Sequence, residues 1–116
     1  MSSAAGTLDV RVRMSNGTCV VNVDGEVDLR TSPQLRAMLL DSFAGTAGPV
    51  VLDLSGVDYM DSSGVGTMVY VKRQVERSGR RLVLVGLRPR VQSVLEITHL
   101  DKFFTIRASV EQVAGS

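Results

Sequence analysis

Two short runs, Val50–Leu54 and Leu82–Val85, are almost wholly apolar, and each is followed by residues with the spacing of an amphipathic helix. Apolar runs of this length are typical of strands that are covered on both faces, as in a parallel sheet with crossover helices. Strands that alternate with helices therefore predict an α/β domain with a mostly parallel sheet. The predicted order is β-β-α-β-α-β-α-β, followed by a terminal helix that begins at Val110.

The N-terminal part of the chain predicts an antiparallel element. Apolar and charged residues alternate over Leu8–Met14, the pattern of a half-buried strand. Asn16 and Gly17 tolerate positive φ and favour a tight turn. A second strand follows, with Cys19 as a small buried apolar residue on its inner face. Together they predict a β-hairpin.

Three helices are predicted by their caps and apolar spacing. Thr31 and Ser32 are expected to cap the first, Ser62 or Ser63 the second, and Pro89 to open the third. Residues 55–60 are predicted to form a turn, and residues 103–106 the last short strand.

The chain has 116 residues, the size of one domain, which we predict over residues 7–113 with flexible tails at 1–6 and 114–116. A single cysteine and a single histidine exclude an internal disulfide and leave too few ligands for a zinc site, so no metal or cofactor is expected. No apolar run approaches the roughly 18 residues of a membrane helix, and no secretion signal is seen, so we expect a protein of the reducing cytoplasm.

The net charge of +1 divides unevenly along the chain. Residues 1–62 hold four basic and eight acidic side chains, whereas residues 63–116 hold nine and four, which gives −4 and +5. The basic residues include a cluster, which we call the basic cluster, made of Lys72, Arg73, Arg77, Arg80, Arg81, Arg88 and Arg90. A solvated helix face explains it more simply than a surface for nucleic acid or anionic lipid.

The segment from Asp58 to Gly66 departs most from a sequence designed only for packing. It follows a buried strand and begins a helix, where α/β sheets usually place their sites. Gly64 and Gly66 lower the helix propensity there, but they allow another backbone, a phosphate or a partner protein to approach. The alternative is a helix cap followed by two glycines that pack tightly against the sheet.

The residues of this segment do not match the catalytic motifs that its position suggests. A nucleophile elbow needs glycine two residues before the serine, where Met60 and Asp61 stand, and no Walker-type phosphate loop occurs. His99 is expected at the surface, at the end of the third helix. Asp28, Asp58 and Asp61 could supply paired carboxylates, but 4% aromatic residues and no Trp offer little platform for a sugar. We therefore expect no hydrolase activity.

Three stretches resemble one family. Val51–Leu54 followed by Met60–Gly66 closely resembles the signature of anti-sigma factor antagonists, the bacterial members of the STAS domain family. Gly25–Asp28 and Val85–Val91 agree in type, spacing and order, so the resemblance covers about residues 7–110.

This resemblance implies a STAS-like single domain with a mixed, mostly parallel sheet, an N-terminal hairpin and helices packed on it. It implies phosphorylation of Ser62 by an anti-sigma factor that is also a serine kinase, and a phosphatase that resets the protein. The protein would be a switch and not an enzyme: its unmodified form would bind the anti-sigma factor and free a sigma factor. Asp28 would lie near Ser62 and Asp61 would orient it, with Ser63, Gly64 and Gly66 around the site.

Other members of this family suggest an alternative, a scaffold subunit of a stressosome or an accessory subunit of a lipid-transport ABC complex. A different class of function, binding of nucleic acid or anionic lipid through residues 72–81, would reveal itself by steep salt dependence. We expect no direct contact with nucleic acid and no insertion into a membrane.

Overall fold

Strands and helices alternate along the chain in the computed structural model, which describes residues 8–114. The predicted tails therefore lie outside the described residues, except for Ala114, the last residue of the final helix. The elements are β1 (Leu8–Ser15), β2 (Thr18–Val27), α1 (Ser32–Ala44), β3 (Val50–Met60), α2 (Ser62–Arg77), β4 (Leu82–Val85), α3 (Pro89–Ile97), β5 (Thr105–Arg107) and α4 (Val110–Ala114).

The predicted hairpin is confirmed. Asn16 and Gly17 have φ angles of 51° and 79°, which form the two-residue loop that matches the twist of an antiparallel pair. β1 and β2 pair without a shift from Leu8 to Ser15. The half-buried strand is only partly as predicted, since Val12 and Met14 are 46% and 52% exposed. Alternation assigns these side chains to one face, but no described helix covers that end of the face.

The five strands lie in the order β1-β2-β3-β4-β5, and all pairs after the hairpin are parallel. The mixed, mostly parallel sheet predicted from the alternating elements is thus confirmed. The turn predicted over residues 55–60 is wrong, because β3 continues to Met60. There it pairs with the end of β2 across two register shifts, and Val57 and Met60 are buried.

The sheet has a large and a small core, one on each face. Cys19 and Leu52 belong to the larger one with the buried apolar residues of α1, α2 and α3. Val20 and Val51 point to the opposite face and pack with Val113 of α4. Coverage on both faces explains why β4 and the first part of β3 are almost wholly apolar.

Two helices end in the same way. Gly79 follows α2 with φ of 76°, and the next N–H, from Arg80, donates to the carbonyl of Val75. His99 occupies the matching position after α3 with φ of 61°, and the N–H of Leu100 donates to Leu95. Both are Schellman motifs, in which glycine is the preferred residue. Residues 100–104 continue in hydrogen-bonded turns, so β5 begins at Thr105 rather than at the predicted residue 103.

Candidate functional site

The start of α2 is capped by Asp61. Its backbone is extended (φ −101°, ψ −172°), and its Oδ1 accepts hydrogen bonds from the N–H groups of Ser63 and Gly64 at 2.9 and 3.4 Å. The expectation that Ser62 or Ser63 would be the cap is therefore wrong. A carboxylate at this position also interacts favourably with the positive end of the helix dipole.

The two serines that follow differ in what their hydroxyl groups contact. The Ser63 side chain is half-buried, and its hydroxyl donates to Asp61 Oδ1 at 2.5 Å and lies 3.1 Å from Ser32 Oγ. Ser62 is exposed, and within residues 8–114 its hydroxyl makes no hydrogen bond. Ser63 is thus part of the local structure, whereas Ser62 is accessible to another molecule.

Ser32, at the start of α1, joins the two loops of the site. Its hydroxyl donates to the carbonyl oxygen of Asp28 at 2.7 Å and also contacts Ser63. The hydroxyl groups of Ser32 and Ser63 have one proton each but take part in three contacts. The contact between the two hydroxyls can therefore be a hydrogen bond only when one of them stops donating to its other partner. Ser32 was expected only as a cap of the first helix and not as part of this site. Its signal is a serine in the first turn of a helix next to a site loop.

Asp28 organises its own loop rather than contacting Ser62. Its Oδ1 accepts from the N–H groups of Arg30 and Thr31 at 2.9 and 3.1 Å, and its Oδ2 pairs with the Arg30 guanidinium at 3.1 Å. The hydrogen bond from the Arg30 side chain lowers the pKa of Asp28 below its ordinary value of 3.8, against the opposing effect of partial burial. The Thr31 hydroxyl donates to the backbone carbonyl oxygen of Glu26. It does not cap α1, contrary to expectation.

The two glycines of α2 differ in the space that surrounds them. A Cβ on Gly64 would lie 2.6 Å from Met60 Cγ and 2.6 Å from Val27 Cγ1, so packing against the sheet excludes a side chain there. A Cβ on Gly66 would have no heavy atom within 4 Å, and the residue is exposed. The tight-packing explanation holds for Gly64 only.

Exposed apolar side chains lie near this corner of the molecule. Leu29, beside Asp28, is 76% exposed, and Tyr59, near the end of β3, is 42% exposed. Tyr59 borders an open groove of about 450 Å³, which runs between the end of β3 and the first turns of α3. Its lining residues are Tyr59, Met60, Pro89, Arg90, Ser93 and Val94.

The basic cluster is not a uniformly solvated face. The Lys72 side chain is only 13% exposed, pairs with Glu76 and lies 4.4 Å from the centre of the Phe103 ring. Arg80 donates to three oxygens of residues 43–48 and so holds the end of α1 to the start of β3. Arg88 pairs with Asp58 at 2.8 Å. The prediction of a solvated face is thus wrong for Lys72 and Arg80, and it fits the exposed Arg73, Arg77 and Arg88.

Few groups suited to catalysis or metal binding come together. Residues 8–114 contain no group of three His, Cys, Asp or Glu side chains able to hold a metal ion. Cys19 is buried, with its Sγ 3.7 Å from the carbonyl of Ser42, and His99 is exposed as predicted. None of the helices over these residues combines the length and apolar character that crossing a bilayer requires.

Comparison with known proteins finds the same architecture. The profile of the STAS domain matches residues 9–113. The anti-sigma-B factor antagonist of Bacillus subtilis (strain 168) is 32% identical over 104 residues, which cover 90% of this chain and 94% of that protein. An anti-sigma factor antagonist from Mycobacterium paratuberculosis has a crystal structure similar to this one with a TM-score of 0.86, at 24% identity over 98% of this chain and 97% of that one. The Bacillus protein SpoIIAA in its phosphorylated form matches with a TM-score of 0.66 and 24% identity, over 91% and 97% of the two chains.

Proposed function

Since this chain belongs to the STAS domain family, we propose that it is an anti-sigma factor antagonist that phosphorylation of Ser62 switches off. The unmodified protein binds an anti-sigma factor with serine kinase activity and thereby frees a sigma factor. A phosphatase that removes the phosphate restores binding. The protein acts in the cytoplasm by protein binding alone, with no catalysis, no direct contact with nucleic acid and no membrane insertion.

The contrast between Ser62 and Ser63 carries the proposal. A kinase must bring the acceptor hydroxyl to the terminal phosphate of ATP, which requires an exposed side chain that is free to move. Ser62 meets this requirement, whereas phosphorylation of Ser63 would break its hydrogen bond to Asp61 and its contact with Ser32.

A phosphate on Ser62 is compatible with the fold. It adds about 1.5 to 2 negative charges at the first residue of α2, where the helix dipole is positive. SpoIIAA, which shares this fold, has been solved in a phosphorylated form, so the architecture tolerates a phosphoryl group.

The same phosphate is incompatible with a close interface. The corner already contains the carboxylates of Asp61 and Asp28, so a partner shaped for a neutral hydroxyl would enclose additional like charge. Exposed Leu29 and the bare helix surface at Gly66 offer this partner apolar contact and close approach. Phosphorylation thus prevents binding by local repulsion, without a change in conformation.

Mass spectrometry after incubation with the cognate anti-sigma factor and ATP tests the site directly. We expect phosphate on Ser62 in the unmodified chain and in the Ser63→Ala control, and none in Ser62→Ala. Ser62→Ala should change the free energy of unfolding by less than about 0.5 kcal/mol, because the lost hydroxyl has no hydrogen-bond partner in the described chain. It should bind the anti-sigma factor even in the presence of ATP.

Ser62→Asp tests the repulsion. It should fold, because a carboxylate suits the first turn of a helix, but bind the anti-sigma factor about thirtyfold more weakly or worse, equivalent to about 2 to 5 kcal/mol. Phosphate on Ser63, or a Ser62→Asp protein that binds as tightly as the unmodified one, would refute the proposed switch. Binding to an ABC-transporter subunit but not to an anti-sigma factor would favour the accessory role instead.

A further inference from the structure

The outer edge of β1 offers unpaired backbone groups. Over residues 8–114, β1 pairs on one side only, with β2. Ser15 and Thr18 flank the two-residue loop of Asn16 and Gly17. In a hairpin of this kind the two flanking residues form a hydrogen-bonded pair of the ladder. Hydrogen bonding alternates along an antiparallel pair, so the odd-numbered residues of β1 bond to β2. The N–H and C=O groups of residues 8, 10, 12 and 14 therefore face outward.

β1 lacks most of the features that protect an edge strand. It is 8 residues long, has no proline or lysine, and pairs with β2 without a bulge. Val12 and Met14 expose about half of their surface on the face that also carries Leu8 and Val10. The opposite face carries charges of both signs.

We propose that β1 pairs with β1 of a second copy of this chain, antiparallel about a twofold axis at Arg11, to form one continuous sheet. In this register the outward backbone groups of Val10 bond to those of the partner's Val12, and those of Leu8 to those of the partner's Met14. Each exposed apolar side chain of β1 gains an apolar neighbour, and the interface is the same patch on both copies.

The charged face of β1 complements itself in the same register. The Arg13 side chain has no ion pair or hydrogen bond with any described residue, and Asp9 of each copy lies opposite the partner's Arg13. The two Arg11 side chains meet at the axis, but within its own chain each already pairs with Asp24 at 2.9 Å and contacts Asp9 at 3.5 Å. A register shifted by two residues either opposes Arg11 to the partner's Arg13 or leaves Met14 uncovered. Charge thus disfavours the first of these two shifts, and apolar contact disfavours the second.

Sedimentation of the full chain over a range of concentrations tests the association. We expect the mass to rise from the monomer value of 12.5 kDa towards twice that value. Val12→Lys places a charge on the apolar face of the edge and should raise the dissociation constant about tenfold or more. Ile97→Lys, which changes an exposed apolar residue of α3, is the matched control and should leave the association unchanged. A monomer at every concentration, or equal effects of the two variants, would overturn the proposal.

Cysteine cross-linking tests the register. Arg11→Cys should form a disulfide-linked dimer under mild oxidation, because the two residues are directly opposite, whereas Arg13→Cys should not. The native Cys19 is buried and does not compete. Arg13→Asp should weaken association, and the added change Asp9→Arg should restore it. Cross-linking through residue 13 but not residue 11, or no rescue by the double change, would contradict this alignment. The proposal is independent of phosphorylation at Ser62.

Discussion

Replacing Gly64 by alanine should destabilise the protein, whereas the same change at Gly66 should stabilise it. Both residues lie in α2, so both changes gain helix propensity, at most about 1 kcal/mol. At Gly64 the new methyl group would lie 2.6 Å from side-chain carbons of Met60 and Val27, which are 2% and 0% exposed. Overpacking of a buried site of this kind costs about 1 to 3 kcal/mol. At Gly66 the methyl group meets no atom within 4 Å.

The difference between the two variants isolates the packing cost, because the gain in helix propensity is common to both. We expect the free energies of unfolding to differ by about 1 to 3 kcal/mol, or about 4 °C in melting temperature for each kcal/mol. Urea unfolding followed by circular dichroism measures this difference. Equal midpoints, or a Gly64→Ala protein more stable than Gly66→Ala, would refute the packing argument. If Gly66 allows a partner to approach α2 closely, its more stable alanine variant should also bind the anti-sigma factor more weakly.

Three further predictions concern stability. His99→Gly should raise the free energy of unfolding by about 1 kcal/mol in thermal or urea melts, because the position has φ of 61°; a loss of stability would contradict this. Asp28 has a lowered pKa, so its ionised form stabilises the fold above about pH 4, and this stability is lost as the pH falls through the folded pKa. The urea midpoint of Asp28→Asn should therefore fall less than that of the parent between about pH 4 and pH 2, and parallel acid profiles would refute this. Arg80→Lys keeps the charge but loses the guanidinium group that binds three oxygens of residues 43–48. The free energy of unfolding measured in urea should fall by about 2 kcal/mol, and a midpoint equal to that of the parent would contradict this.

The main elements were predictable from sequence because their patterns are local. Almost wholly apolar runs identified β4 and the first part of β3, and Asn16 with Gly17 identified the hairpin. The extension of β3 to Met60 was not predictable in this way. Residues 55–60 include a glycine and an aspartate, which disfavour strands, and the segment is held by pairing with β2, far away in the chain.

The site was predictable in composition but not in its internal contacts. Asp61, Ser62 and Ser63 are all good N-caps, so their order alone could not show that Asp61 takes that role. The position of Ser62 outside the hydrogen-bond network followed only from the structure. The same holds for Ser32, whose contact with Ser63 joins residues that are 31 positions apart.

The spatial order of the strands has a consequence for how the chain is made. Because the strands from β1 to β5 lie side by side in the order in which they are translated, the sheet can grow at one edge as the chain leaves the ribosome. No strand has to be inserted between two strands that are already paired. Each strand after β1 can pair with the strand translated just before it, so the sheet is extended only at the edge formed by the most recently added strand.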